Sequence, residues 1–306
     1  MTLDELIQAL NNSSADAREV LSKLRELLLV NGDVNFNLAD GTVITAPSLP
    51  KLRQQYWDNM DSVMDRIYYV DAVNGNDSND GSESAPFASL KKAIDSVPVG
   101  GKGLINLISD YTINNNIQIV NKDITIKVSS GKILKPSWAQ DSSNDFNWLN
   151  VFNLIGRVIL GISLEDGAKV VLDDTGYSTT VNIGDSSYTQ FIKKASRCIG
   201  LVYVNGSSTT IKPIIELNGV NSSPVFMSAG SDHSLEFLVL KLWEVDVVVN
   251  GQGKLITAYP GAVMFFPSQA SLIDNTGTIS SWADLIGGIV KDGNGVPRNV
   301  LSNVIF

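Results

Sequence analysis

Short β-rich runs, divided by glycine, asparagine, aspartate and serine, fill the chain from Tyr68 to Trp282 and constrain its fold more than any other feature. The predicted strands span residues 104–108, 117–120, 124–128, 158–164, 169–172, 179–183, 211–217, 235–242, 245–249, 254–258, 263–266 and 271–274. This regular succession of short strands and turns predicts the stacked coils of a parallel β-helix, in which one face of each strand is buried in a continuous interior. A β-sandwich has the same strand density and remains an alternative for residues 184–285.

The amino-terminal region has a helical pattern followed by a hairpin pattern. Residues 1–30 predict helix, with Thr2 and Glu5 spaced as a capping box and a leucine-rich stripe further on. The turn residues 31–33 end this helix. Alternating apolar residues on either side of the next turn, residues 39–41, then predict a β-hairpin.

A second helical pattern runs over residues 48–67, where apolar residues recur every three or four positions. Such a stripe suits a coiled coil, and it equally suits an amphipathic helix that folds back on its own chain. A helix of this length is marginal alone in water, so either symmetry mates or the hairpin must stabilise it.

Composition and charge exclude several classes of function. With 306 residues, of which 43% are apolar and 18% charged, the chain is expected to fold into one or two domains. Its net charge of −9 repels nucleic acid and anionic lipid, and the lysine pairs at 91–92 and 193–194 read as solvated surface. The acidic start of the chain and the lack of an apolar run of about 20 residues predict a protein made in the cytoplasm, without membrane insertion.

The sequence has few of the cysteine and histidine residues that commonly act in catalysis or bind metals. Cys198 is the single cysteine and His233 the single histidine, so neither a disulfide within the chain nor a histidine-rich metal site can form. We predict that the thiol of Cys198 is buried and packs in the core as a small apolar side chain. A G-x-S-x-G motif and a Walker-type loop are absent from the sequence. We therefore predict no catalytic residue, no cofactor and no metal ligand.

Residues 69–94 read YVDAVNGNDSNDGSESAPFASLKKAI. They resemble the entry of right-handed β-helix proteins of the pectate-lyase-like fold, which share the pattern YVD-x-x-x-G-x-D-x-x-D-G-x-x-x-x-P-F-x-[ST]-[LI]-x-x-A-[IL]. The pattern predicts a strand, a polar turn region and a capping helix whose Leu90, Ala93 and Ile94 cover the open end of the coils. The same amino-terminal pattern occurs in phage tailspikes and in pectate-lyase-like enzymes. It therefore indicates the fold and does not indicate whether the protein is an enzyme.

A second resemblance lies upstream, where residues 35–52 read NFNLADGTVITAPSLPKL. This stretch is similar to a segment common in phage tail-fibre and tailspike proteins, where it leads into a helix. The resemblance implies a homotrimer whose amino-terminal region is fixed to other tail or baseplate proteins of the virion. It also implies a host-attachment role, with bacterial surface polysaccharide as a possible ligand.

Tailspikes of this fold often cleave polysaccharide with two or three carboxylates, one of which has a raised pKa. The candidates here are Glu165, Asp166, Asp173, Asp174, Asp232, Glu236, Glu244 and Asp246. Residues 166–167 and 173–176 read as turns in which acidic side chains cap their own backbone. Trp243 beside Glu244 has the composition of a sugar-stacking platform next to an acid, and burial of at least one of the two is the alternative.

The loop of residues 74–81 resembles a calcium loop in its density of side-chain oxygens, but no glutamate stands at the closing position. Only about two hundred residues are available for coils, whereas a depolymerising spike needs a long β-helix that holds several sugar units. A short fibre or an adaptor is favoured over an enzyme.

These observations predict a mainly β fold with four parts. Residues 1–30 form a helical virion anchor, 31–67 a hairpin and amphipathic helix, 68–285 a capped right-handed parallel β-helix and 286–306 a carboxy-terminal extension. The predicted function is that of a structural virion protein, a homotrimeric tail fibre or tailspike that mediates host attachment through receptor binding. A polysaccharide lyase or glycoside hydrolase, and an adaptor for a further receptor-binding fibre, are the alternatives.

Overall fold

The computed structural model describes residues 15–30, 32–37, 43–51, 66–137, 150–173, 190–194, 199–207, 210–220, 225–229, 237–257 and 262–304. The chain divides into two compact units, Met1–Met64 and Asp65–Phe306. Among the described residues, no helix has both the length and the apolar character that a membrane span requires.

The amino-terminal unit contains the predicted helix and hairpin. Helix α1 spans Ala15–Leu29, and the antiparallel strands β1 (Asp33–Asn37) and β2 (Val43–Pro47) follow it. Lys51 forms an ion pair of 2.5 Å with Asp33, and this contact ties the residues after the hairpin to its first strand. The proposed capping box at Thr2 and Glu5 lies outside the described residues.

The second predicted helix is only partly described. Residues 49–51 are helical, and residues 52–65, which carry most of the proposed coiled coil, lie outside the described residues. The prediction is wrong at its end, because Arg66 and Ile67 belong to a strand, β3 (Arg66–Val70). Ile67 lies in register with Leu104 of the next strand, so the backbone of this segment is paired in a sheet.

The second unit is predominantly β and is built from parallel sheets. Sheet I contains β3, β4 (Lys102–Leu107), β7 (Asp123–Val128), β10 (Arg157–Glu165), β13 (Ile199–Ser207), β16 (Phe237–Trp243), β19 (Ala262–Ser268) and β22 (Val300–Ser302), in that order. Sheet II contains β5 (Tyr111–Ile113), β8 (Ile133–Pro136), β11 (Lys169–Asp173), β14 (Ile214–Asn218), β17 (Asp246–Val249) and β20 (Leu272–Asp274).

Sheet III completes the unit with β6 (Ile117–Val120), β9 (Asn150–Ile155), β12 (Gln190–Lys194), β15 (Val225–Ala229), β18 (Lys254–Thr257) and β21 (Ile286–Gly287). Three successive strands from β4 onward thus give one strand to each sheet, and we call each such triplet a coil. This order is compatible with a β-helix. The paired strands of the three sheets are parallel, whereas the sheets of a β-sandwich are antiparallel.

The interior is built from in-register rows of apolar side chains. On sheet III, one row is buried from the first coil to the last: Ile117, Phe152, Ile192, Met227, Ile256 and Ile286. Phe152 and Phe191 pack edge to face at 5.3 Å, and Phe191 lies 5.5 Å from Phe226. Burial of each such side chain contributes about 1.5–3 kcal/mol, so stacking of coils is the main source of stability.

Asparagine side chains also stack at the corner that follows sheet II. Asn250 donates its amide to Asn218 at 2.9 Å, and Asn275 donates to Asn250 at 2.6 Å. Each side-chain amide donates to the side-chain carbonyl of the asparagine on the preceding coil. The same hydrogen bond therefore recurs at this corner in successive coils.

The segment 69–94 contains the strand, folded-back loop and helix that its sequence predicts. Phe87 donates its N–H to Tyr69, and Asp71 donates to Phe87, so the loop returns to lie beside β3. Helix α2 spans Leu90–Ser96, and Leu90, Ala93 and Ile94 are fully buried. The predicted capping residues therefore pack into the core rather than facing solvent.

Gly75 shows why this loop needs a glycine. A Cβ atom at this position would lie 2.2 Å from the carbonyl oxygen of Phe87, closer than atoms can approach. The spacing between Asp71 and Gly75 thus reflects a close approach of two backbone segments.

The carboxy-terminal residues belong to the same unit. A short 3₁₀ helix, Trp282–Leu285, packs its indole 5.5 Å from Phe265. Strands β21 and β22, which lie within residues 286–306, pair with β18 and β19.

Candidate functional site

The outer face of sheet I combines aromatic, polar and apolar side chains in three in-register rows. The row that we call the aromatic row contains Thr125, Gly161, Tyr203, Lys241 and Phe266. A second row contains Lys127, Ser163, Asn205, Trp243 and Ser268. The apolar row contains Ile159, Leu201, Val239, Met264 and Leu301. Inward positions between these rows are buried, so the rows face away from the core.

Tyr203 lies flat across the neighbouring strand. Its hydroxyl is 2.9 Å from Oγ1 of Thr125, two strands away, and its ring passes over Gly161. A Cβ atom at Gly161 would lie 2.3 Å from Cζ of Tyr203, so only glycine permits this arrangement. The fixed ring presents a flat, half-buried surface on the outer face.

Trp243 is half-buried on the same face. The ammonium group of Lys241 lies 5.3 Å from the centre of its ring, which is within the range of a cation–π contact. Lys241 precedes Trp243 by two residues, so both side chains project from the same side of β16. Tyr203 on β13 lies in register with Lys241. The face therefore places two aromatic rings and an ammonium group on neighbouring strands.

Two of the predicted carboxylates, Glu165 and Asp246, lie at strand ends and form ion pairs. Glu165 binds Lys127 at 2.6 Å and accepts the N–H of Ser130 at 3.1 Å. The hydrogen bond from Lys127 outweighs partial burial and lowers the pKa of Glu165, whereas a general acid for glycoside cleavage needs a raised pKa.

Asp246 binds Lys212 at 2.8 Å and accepts the N–H of Ser271 at 3.0 Å. Glu165 and Glu244 belong to strand ends two strands apart in sheet I, a separation of about 10 Å between backbones. Glu244 has a left-handed backbone, with a φ of 54°, at the corner between β16 and β17. The structure therefore places these acids at separate corners.

Of the remaining predicted positions, two lie within the described residues. Asp166 lies in a turn, and its backbone carbonyl accepts the N–H of Gly131 on the preceding coil, whereas Asp173 ends β11. Asp174, Asp232, Glu236, Cys198 and His233 lie outside the described residues. Among the described residues, no group of three or more histidine, cysteine or acidic side chains is placed to hold a metal ion.

In the loop that resembles a calcium site, the acidic side chains bind the protein itself. Asp77 accepts hydrogen bonds from the N–H groups of Ala88 and Ser89, at 3.0 and 2.8 Å, and from the Ser89 hydroxyl. Asp80 accepts the N–H of Ser82 at 2.9 Å. Asp77 thus holds the loop against the start of α2, whereas Asp80 binds within the loop.

Sequence reasoning identified Trp243 and missed Tyr203, Lys241, Thr125 and Phe266. Their signal is the alternation along β7, β13, β16 and β19, which marks outward positions. The sequence does not reveal that these residues are aligned across strands, because coils of unequal length bring them into register. No family model, curated protein or solved structure matches the chain.

Proposed function

We propose that the chain is a structural subunit of a phage tail, a fibre or tailspike built on a right-handed parallel β-helix, that mediates attachment to the bacterial surface. The observation that carries the proposal is the entry segment 69–94. Its resemblance to β-helix entries is accompanied by a strand, a folded-back loop and a buried capping helix at the expected positions. The upstream segment 35–52 supports the phage origin, since it resembles a segment of tail-fibre and tailspike proteins.

The outer face of sheet I is the proposed receptor-binding surface. Half-buried aromatic rings with polar neighbours favour ligands that have both apolar faces and hydroxyl groups, as the sugars of a surface polysaccharide have. The ion-paired state of Glu165 and Asp246 favours binding over cleavage. The amino-terminal unit is the proposed attachment to other tail or baseplate proteins.

An adsorption-competition experiment tests this function. Purified full-length protein is mixed with host cells before the phage that encodes it is added, and free phage is counted over time. We expect the protein to slow adsorption and Trp243→Ala to weaken that effect. Val248→Ala, a half-buried residue on the outer face of sheet II, is the matched control and should compete like the wild type.

Two results would overturn the proposal. One is full adsorption in the presence of saturating protein, together with no protein bound to the cells. The other is the absence of the chain from purified virions, as judged by mass spectrometry and by immunogold labelling of tails. Release of oligosaccharides from host capsule or lipopolysaccharide would instead establish the polysaccharide-degrading alternative.

A further inference from the structure

Lys241 places an exposed ammonium group on the outer face of sheet I. Within the described part of the chain, no ion pair or hydrogen bond engages this group, and its contact with Trp243 is a cation–π contact. Lys127 on the same face is different, because Glu165 neutralises it at 2.6 Å. An ammonium group has three N–H donors, so those of Lys241 are available to a ligand.

Three aromatic residues surround Lys241. Tyr203 and Phe266 lie in register with it on the neighbouring strands β13 and β19, and Trp243 follows two residues later on β16. All three aromatic side chains are half-buried. Apolar rings beside an ammonium group keep water from part of it, so solvent weakens an ion pair formed there less than one on an open surface. This position is therefore better suited to bind an anion than an ordinary surface lysine.

The described acids of this face do not neutralise Lys241. Glu165 lies two strands away and four positions further along in register, and Asp123 lies three strands away and two positions back. With about 4.8 Å per strand and about 3.3 Å per residue, each backbone is about 16 Å from that of Lys241. This distance exceeds the Debye length of about 8 Å at physiological ionic strength. Glu244, three residues later at the corner, forms no ion pair with Lys241.

We propose that Lys241 selects receptors whose sugars carry an acidic group, either a carboxylate or a phosphate. This inference rests on the proposed receptor-binding role of the outer face of sheet I and specifies the class of its ligand. A sugar stacked on the fixed ring of Tyr203 lies about one strand spacing, about 4.8 Å, from the strand of Lys241. Acidic groups on that sugar, or on the next one, then come within reach of the ammonium group.

The charge of the acidic group provides the selectivity. A carboxylate or phosphate oxygen accepts a charge-assisted hydrogen bond from an ammonium group, which is about twice as strong as a bond between neutral groups. The hydroxyl group of a neutral sugar accepts a weaker bond. An acidic polysaccharide should therefore bind more tightly than the same polysaccharide after its acidic groups are removed.

Binding of the full-length protein to polysaccharide extracted from host cells, measured by biolayer interferometry, tests the proposal. Three preparations are compared: native, carboxyl-reduced with carbodiimide and borohydride, and dephosphorylated with hydrofluoric acid. We expect one of the two treatments to weaken binding at least about tenfold, and that treatment identifies the acidic group as carboxylate or phosphate. Added salt should weaken binding to the native preparation, because it screens the ion pair.

Lys241→Met removes the charge and keeps an unbranched side chain that can cover Trp243. It should bind the native polysaccharide about tenfold more weakly than the wild type, which corresponds to about 1.4 kcal/mol, and Lys241→Arg should retain most of the affinity. Lys135→Met, which removes an exposed lysine from the outer face of sheet II, is the matched control and should bind like the wild type.

The treated polysaccharide separates the ion pair from other effects of the substitution. Once the acidic group is gone, the wild type and Lys241→Met should bind equally, because the partner of the ammonium group is missing. A defect of Lys241→Met that persists on this preparation would show that the lysine acts by shaping the surface, and would overturn the proposal.

Equal binding of the wild type to all three preparations, or full affinity of Lys241→Met for the native one, would also overturn selection of an acidic group while leaving attachment intact. The same conclusion would follow if Lys135→Met lost as much affinity as Lys241→Met, since overall charge would then explain both losses. A wild type that binds none of the preparations would contradict both this inference and the proposed attachment to surface polysaccharide.

Discussion

Gly161 illustrates how a single residue sets the shape of the outer face. Its missing side chain lets Tyr203 lie across β10 and reach Thr125. We expect Gly161→Ala to displace the ring and destabilise the protein by about 1–3 kcal/mol, the usual range for an overpacked contact. Urea unfolding followed by circular dichroism measures this difference.

Gly293→Ala is the matched control for that change, because a Cβ atom there meets nothing within 4 Å. Its stability should stay within about 0.5 kcal/mol of the wild type. Equal effects of the two substitutions would contradict the packing explanation.

Lys122 is a second residue whose role depends on its surroundings. It is 9% exposed and donates from Nζ to the carbonyl of Ile94, near the end of α2, at 2.8 Å. Burial is the largest cause that lowers the pKa of Lys122 below 10.5, although Asp95 opposes the shift. Between the lowered folded pKa and the unfolded value the unfolded chain binds more protons, so stability should rise with pH in that window.

Lys122→Met removes this titration. We therefore expect the stability of the wild type, relative to the variant, to increase as pH rises from neutral towards 10.5. Urea midpoints of both proteins over this range measure the difference. A stability difference between the two proteins that is constant, or that falls with pH, would show that burial does not lower the pKa of Lys122.

At the scale of elements, α2 depends on the loop before it. Ser89 accepts the N–H of Lys92 as the N-cap, and Asp77 binds both Ser89 and Ala88. We expect Asp77→Ala to cost about 1–2 kcal/mol, as the loss of helix caps does, and to speed amide hydrogen exchange in α2. Hydrogen exchange with mass spectrometry resolves this element.

Asp80→Ala is the comparison for Asp77, since the hydrogen bonds found for the Asp80 carboxylate involve only Ser82 and its own backbone. It should leave exchange in α2 unchanged. Faster exchange of α2 in both variants would mean that the loop acts as a whole and that Asp77 has no particular role.

Sequence patterns located many of the strands and missed others, from β5 with three residues to β13 with nine. The predicted strand 117–120 coincides with β6, and 169–172 lies within β11. The prediction 211–217 begins too early, because β14 starts at Ile214, and strand 179–183 lies outside the described residues.

Strands such as β5, with three residues, and β8, which ends at Pro136, were not predicted. Although β5 consists of strand-favouring residues, both strands are too short to give a clear alternating pattern. Parallel strands on neighbouring coils hold them in place. A short stretch of sequence does not reveal this pairing, because the partner strands are distant in the chain.

For the whole molecule, the division at residue 65 has a direct consequence. The large buried cluster that begins at Tyr68 and ends at Ile286 draws all of its members from the second unit. We expect a chain starting at Asp65 to fold alone, with β-rich circular dichroism and a cooperative thermal transition. A fragment that lacks this transition, while the full-length protein shows it, would contradict independence of the second unit.

The sequence by itself determined that the chain is mainly β, that its second unit begins with a strand, loop and capping helix, and that helix and hairpin precede it. These features depend on local patterns: alternation, turn residues and caps. Only the tertiary structure decided which strands are neighbours, because coils of unequal length bring distant residues into register. The outer face of sheet I, with Tyr203 across Gly161 and an unbroken apolar row, arises from that register, which no local stretch of sequence contains.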